Sequence, residues 1–391
     1  MKNIVKCNQK ESLTNFDGSG LKKETETHMQ IKQPQYFEKF HCIGGTCEDN
    51  CCIGWDVEID QRTYKKYRRV KDRSLSLLFR EKIFENPDPY NVQIDYALVE
   101  LGKGNRCPFL NDKNLCKIQG KIGEEYLSNV CATYPRMANE VDGIIEYSAT
   151  VSCPEAAKLI LGNPEKMRWV TKDIEKPQRT IVNYHVDTKG KQRHWNLMVS
   201  RFHQLRDLSI ETLQNRNHSL ENRLKELSVR YEEFEKEGKI PTGKIKSIIK
   251  MMEDVSLQNI HKAVRWVHDT VEIDSQKYKE FAKEAEKGFG CLEKTGRIYQ
   301  NNIQIPQFIL ENYLVNYIFQ ELFPLGEGDT LGEAFMALAI RYGLIQYHLL
   351  GIGENRGLLK EDTVIEFIQT FSKAVEHHHV YLSEIKRSLS R

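Results

Sequence analysis

The chain has 391 residues, 40% of them hydrophobic and 29% charged, which describes a globular protein with room for roughly two domains. Its formal net charge of +2 leaves no global field to recruit nucleic acid or an anionic membrane. The first 28 residues carry neither an apolar h-region nor a small-residue cleavage site, so a secretory signal is not expected. The expected compartment is the reducing cytosol, where clustered cysteines serve metals or catalysis more often than disulfides.

Residues 1–28 are polar and read as a disordered extension ahead of Met29. Residues 30–41 form a short lead-in broken at Pro34. From Cys42 to Gly54 the chain is glycine-rich and aperiodic, which predicts a loop wrapped around something. Asp60 then caps a helix with Tyr64, Tyr67 and Val70 on one face, and a second helix runs from Ser74 to Phe84. The alternation that starts at Asn91 predicts a short strand or hairpin before Cys107. Asn111 to Asn114 is a turn, Ile122 to Val130 a short helix delivering Cys131, and Pro154 opens a helix that Gly162 ends.

Beyond residue 166 helical periodicity dominates. Leu220, Leu224, Leu227, Tyr231 and Phe234 recur at spacings of four, three, four and three, an amphipathic stripe facing a core and stopping at Gly238. Helices are expected at 191–216, 244–253, 257–270, 276–287, 306–322, 331–349 and 361–388. The best strand signal in this half is Arg179 to Val186. Leu331 to Leu350 is apolar but interrupted by Glu333, Arg341, Gln346 and His348, which predicts a buried helix rather than a membrane span. The expected fold class is mainly α: a Cys-rich metal-binding domain over 29–165 with loops and a short hairpin, then an all-helical domain over 166–391.

The chemical signal lies in the first of these domains. Eight of the ten cysteines, Cys42, Cys47, Cys51, Cys52, Cys107, Cys116, Cys131 and Cys153, fall within it, leaving Cys7 and Cys291 outside. Thiolates are soft ligands suited to zinc or iron–sulfur clusters. No paired Cys-x2-Cys knuckle occurs, and spacing alone fits zinc and an iron–sulfur cluster about equally. Gly351 to Gly357 resembles a phosphate loop only superficially, because it follows a helix and its glycines do not match G-x-G-x-x-G. His261 and His268 share a helical face and read as core or surface groups. His377-His378-His379 reads as a solvated run.

The run Phe40-His-Cys42-Ile-Gly-Gly-Thr-Cys47-Glu-Asp-Asn-Cys51-Cys52-Ile-Gly-Trp55 resembles the start of the flagellin lysine-N-methylase family, within a broader group of Cys-rich zinc- or iron-chelating domains. So do Cys107-Pro-Phe-Leu, Leu115-Cys116-Lys-Ile-Gln, Gly123-Glu-Glu-Tyr-Leu-Ser, Cys131-Ala-Thr-Tyr-Pro-Arg136 and Ser152-Cys153-Pro-Glu-Ala-Ala157. The likeness extends weakly through Asn312-Tyr313 and Phe371-Ser-Lys-Ala-Val-Glu-His377. It implies methyl transfer from S-adenosylmethionine to lysine ε-amines of flagellin in the bacterial cytoplasm. It also implies a cluster held by these cysteines, 4Fe–4S in type, with zinc the alternative. The amine must lose its proton before it can attack a methyl group. Glu48, Asp49, Tyr134 and Glu155 sit beside cysteines and are the candidate acceptors, and Arg136 is the candidate partner for the carboxylate of S-adenosylmethionine. The rival reading is a non-catalytic zinc-binding module whose helical part docks a partner.

Overall fold

The computed structural model describes residues 5–6, 28–175, 177, 179–189, 197–237, 256–296, 304–378 and 380–389. Helices dominate the described residues, as the periodicity predicts, but a six-stranded mixed sheet forms the middle of the molecule. Its strands are β1 (Val5–Lys6), β2 (His28–Pro34), β6 (Arg136–Val141), β7 (Ile144–Ala149), β8 (Trp169–Glu175) and β9 (Val182–Val186), in the order β1-β9-β6-β7-β2-β8. Strands β8 and β9 correct the expectation of an all-helical part from 166 onward. Only β9 had a visible strand signal. Residues 28–34, read as part of an extension and a lead-in, are a strand paired with β7 and β8. Residues 7–27 lie outside the described residues.

The tight connection between β6 and β7 is Asp142-Gly143, both with positive φ (52° and 84°), the geometry a two-residue hairpin requires. Pleating divides the sheet cleanly. Lys32, Asn139 and Glu146 are in register on one face, which meets helices Phe202–Leu213 and Gln307–Gln320. There Arg206 makes a two-pronged bond to Glu146, at 2.5 and 2.8 Å, with both side chains buried. Asn139 donates to the Gln320 carbonyl. The opposite face presents Ile31, Ala138, Tyr147 and Ile174.

Helices Gln307–Gln320 and Leu331–Arg356 are buried on nearly every side and form the centre of the main core. By length and composition the second is one described helix able to cross a membrane, but 89% of its apolar window is buried inside the protein. It crosses helix Gln276–Lys294 at Gly288 and Gly351. A Cβ on Gly351 would stand 2.0 Å from the Ala285 carbonyl oxygen, so these glycines serve close helix approach rather than a phosphate loop. The expected stripe is helix Leu220–Lys236, and Leu220, Leu224, Leu227, Tyr231 and Phe234 are all buried. The expected helix at 244–253 and the stop at Gly238 lie outside the described residues.

The expected long helix at 361–388 is instead Glu361–Phe371, a π-turn at Ser372–Glu376 and a final helix Tyr381–Leu389.

The cysteine block has a small core of its own. A three-stranded sheet, β3 (Glu58–Ile59), β5 (Ala97–Val99) and β4 (Ile83–Glu85) in that order, packs with helices Gln61–Tyr67 and Arg73–Lys82. Tyr67 and Phe79 stack at 4.0 Å. Asp60 caps the first helix through the Thr63 amide, as expected, and its other oxygen takes the Asn129 amide. That second bond ties the helix to Asn129–Thr133, the short element carrying Cys131. Ser128 caps this element, which replaces the longer helix expected at 122–130.

Candidate functional site

Two loops bring the thiols together. In the first, residues 42–54, Asn50 donates to the Asn114 carbonyl at 2.9 Å and the Cys107 amide donates to the Cys52 carbonyl at 2.9 Å. In the second, residues 102–116, Arg106 holds Asn114 and the Asn111 carbonyl, and Asn114 takes the positive φ of its turn. Cys52, Cys107, Cys116 and Cys131 thereby share one apolar cluster with Val57, Phe109 and Ile118. Burial and neighbouring thiols push Cys107 up to about 11 and Cys131 up to about 12. Cys51 is drawn down to about 7, first by the hydrogen bond from Cys52 and then by the Lys373 ammonium.

Cys153 occupies the N-cap position of helix Pro154–Leu161 without a side-chain capping bond, within electrostatic reach of Cys47 and Cys51. Cys42 is exposed at the head of its loop, and Cys291 is exposed on helix Gln276–Lys294. Cys7 lies outside the described residues.

Seven of the eight candidate ligands are thus gathered in one region. Among the described residues no set of three or more His, Cys, Asp or Glu side chains is closed to ligand distance around a point. The donor chemistry is nonetheless that of a soft metal: Cys52, Cys107, Cys116 and Cys131 are thiols of one apolar cluster, and Cys51 interacts with Cys52, Cys107 and Cys131.

The π-turn closes the open side of the thiol loop. Gln369 and Lys373 both reach Asp49, at 2.9 and 2.5 Å, and Gln369 also donates to the Ser152 carbonyl. Lys373 bonds the Asn50 carbonyl and stands 5.2 Å over the Trp55 ring. Trp55 meets Tyr134 and His377 edge-on at 5.1 and 5.2 Å. Ser152 Oγ lies 3.2 Å from both Tyr134 Oη and His377 Nε2. An extra residue in a helical turn re-aims side chains, which is why such turns gather at functional sites.

This joint changes the standing of the sequence candidates. Asp49 is engaged by Lys373 and Gln369. Glu48 lies in a half-exposed ion pair with Lys158 at 2.8 Å. Burial raises the Tyr134 phenol well above its ordinary value, so it stays protonated. Glu155 sits in the first turn of its helix beside Cys153. His377 is exposed, as expected of a solvated run, but it is also bonded to Ser152 and meets the Trp55 ring. His378 is bonded to the Glu272 carbonyl, and His379 lies outside the described residues. His261 pairs with Tyr347, and His268 with Tyr278 and Tyr381, so both are core groups. Gln369, Lys373 and Ser152 were missed. The likeness of Phe371 to His377 was the available signal for Lys373, and the Ser152-Cys153 motif that for Ser152.

Arg136 is not part of this joint. The segment Cys131-Ala-Thr-Tyr-Pro-Arg136 is a wall with two sides. Cys131 and Tyr134 face the thiols and Trp55, whereas Ala132, Thr133 and Arg136 line a cleft of about 730 Å³ on the face of the sheet that carries Ile31, Ala138 and Tyr147.

A family model described as the FliB lysine N-methylase C-terminal domain matches residues 206–391. A lysine-N-methylase of Salmonella typhimurium is 30% identical over 148 residues, 37% of this chain and 35% of that protein. A lysine-N-methylase of Salmonella choleraesuis matches to the same extent. The flagellar biosynthetic protein FliU of Salmonella muenchen is 30% identical over 141 residues, 35% of this chain and 80% of that protein. The chain therefore aligns with about a third of the length of the two lysine-N-methylases. No solved structure matches.

Proposed function

The chain belongs to the FliB lysine N-methylase family, and on that premise we propose that it is a protein-lysine N-methyltransferase acting on flagellin. In this reading S-adenosylmethionine donates the methyl group, in the cytoplasm before flagellin is exported, and activity depends on a cysteine-held metal centre. The observation that carries the reading is the joint itself. The half matched by the family model supplies Gln369 and Lys373 to Asp49, in the loop bearing Cys47, Cys51 and Cys52, and His377 to Ser152 beside Cys153.

Cys52, Cys107, Cys116 and Cys131, with Cys51 beside them, are the residues that would hold the metal, a 4Fe–4S cluster or zinc. Bound there, it would supply a cationic centre that satisfies thiolates otherwise costly to bury. Lys373 and Gln369 fix the Asp49 loop against the C-terminal half. Trp55, Tyr134 and His377 pack edge-on beside it. Arg136 offers a guanidinium for the carboxylate of the methyl donor. Asp49, Glu48 and Tyr134 are poor acceptors for the lysine proton, since the first two are ion-paired and the third stays protonated.

The test is anaerobic purification, an assay of iron, sulfide and zinc on one sample, and transfer of labelled methyl from S-adenosylmethionine to flagellin. Metal-loaded protein that leaves flagellin unlabelled overturns the reading. A second reading, a non-catalytic zinc module, is favoured by the place of Gly351 and Gly353 inside a helix rather than in a nucleotide loop. Stoichiometric zinc without any binding of S-adenosylmethionine would establish it.

A further inference from the structure

We infer that the cleft on the Tyr147 face of the sheet is the reaction chamber: it seats the methyl donor, an adenosyl sulfonium amino acid, and its acidic lip receives the substrate lysine. This rests on the methyltransferase reading and adds a site to it. The volume of about 730 Å³ lies within the range of roughly 300–1,000 Å³ typical of small-molecule sites. Such a donor has three demands: a cation for its carboxylate, an apolar slot for its purine, and tolerance of a positive sulfonium.

Arg136 meets the first demand. It lines the cleft, is exposed, and is held over the Phe40 ring at 5.2 Å without a carboxylate partner among the described residues. The apolar surface for the purine is provided by Phe37 and Tyr147, which pack on each other with ring centroids 5.7 Å apart, together with Ile31 and Ile174 of the cleft lining. For the cation there is a lip carrying Glu124 and Glu125, exposed carboxylates that make no hydrogen bond or ion pair among the described residues. The third carboxylate of the cleft, Glu38, is taken by Lys172 at 3.0 Å.

The lip is built rather than loose. Arg179 bonds the carbonyls of Glu125 and Leu127, and Lys66 bonds that of Glu125. Both cations therefore engage backbone and leave the carboxylates available. Gly123, at φ 103°, allows the Glu125 carboxylate to fold back where a Cβ would lie 2.2 Å from its oxygen. Cys131 sits directly behind Ala132 and Thr133, which places the thiol cluster behind the chamber wall.

The step balances without an added reactant. A lip carboxylate takes a proton from the lysine ammonium, and the freed nitrogen lone pair attacks the methyl carbon. The N–C bond forms as the S–C bond breaks, and its electron pair stays on sulfur as a neutral thioether. The carboxyl then returns its proton to solvent.

The experiment is equilibrium dialysis of labelled S-adenosylmethionine against the metal-loaded full chain, paired with methylation of flagellin. Arg136→Gln is expected to weaken binding at least tenfold, Arg136→Lys to retain most of it, and Ile174→Trp, which fills the cleft, to abolish it. Glu124→Gln/Glu125→Gln removes the acidic lip and is expected to weaken donor binding while methylating at least 100-fold more slowly. Unchanged binding in both Arg136→Gln and Ile174→Trp overturns the chamber while leaving the methyltransferase reading intact. A full methylation rate in the double variant overturns the lip. A parent chain that binds no S-adenosylmethionine overturns the methyltransferase reading, and the chamber with it. Thermal melts of each variant separate lost binding from lost folding.

Discussion

The helical half and the cysteine block are held by different forces. In the helical half, position is set by area: helix Gln307–Gln320 alone buries eleven consecutive residues, Ile309 to Phe319, and dispersion and the hydrophobic effect act without regard to direction. In the cysteine block, position is set by a few directed bonds from short polar side chains. Asp95 accepts from Asn86, Tyr90 and Asn91, while Asn50, Asn111 and Arg106 pin two loops by their backbones. A core built on area fails globally when one part is damaged, whereas a block built on directed bonds fails locally, so substitutions in the two regions should be told apart by what else moves.

The largest effect is expected where a charge is buried between the sheet and the helices. Arg206→Ala leaves Glu146 buried with only the Lys32 ammonium at 4.0 Å in place of its two-pronged partner and should lower global stability by about 3–5 kcal/mol in denaturant titration. A loss below 1 kcal/mol would break the claim that this interface is part of the global core. Next comes Gly351→Val, whose side chain meets the Ala285 backbone rather than a flexible group. It should cost about 1–3 kcal/mol, read as a lower Tm with the cysteine block melting in the same transition.

Third is a pH effect confined to the helical half. His348 is buried, donates through Nδ1 to the Leu344 carbonyl, and faces Tyr278, with Tyr381, His268 and Tyr347 around them. Burial holds its pKa down to about 3. Unfolding therefore takes up a proton between pH 3 and the unfolded value of about 6.5. The stabilisation is full above that value and is lost as pH falls, reaching about 2 kcal/mol of lost stability at pH 5. His348→Gln should flatten this slope, and an unchanged slope would assign acid sensitivity elsewhere.

The smallest effect sharpens the contrast from the other side. Ser128→Ala removes the cap of the element carrying Cys131 and should cost about 1 kcal/mol. The expected signature is faster amide exchange over 128–133 and faster alkylation of Cys131, with the helical melt unmoved.

Much of the helical half could be read from the chain because its information is local. A four-three-four-three recurrence puts Leu220 to Phe234 on one face whatever that face later meets, and Asp60 caps its helix through a bond spanning three residues. The clustering of eight cysteines and the likeness of the surrounding motifs were equally legible, because residue type and spacing carry them. The sheet was not. Strand β2 pairs with β7 and β8 more than 110 residues away, and a seven-residue strand has no local period strong enough to announce a partner at that distance.

The sequence by itself determined which chemistry is present: soft thiol donors, a Tyr-Pro-Arg segment beside them, and helices able to bury a large core. The tertiary structure decided which of those groups meet. It set Arg136 and Tyr134, two residues apart, on opposite sides of one wall, and it brought Lys373 to Asp49 across 324 residues. The reason is that side-chain chemistry is inherited residue by residue. Proximity between distant residues is fixed only when buried area and sheet register outweigh the chain entropy lost in bringing them together.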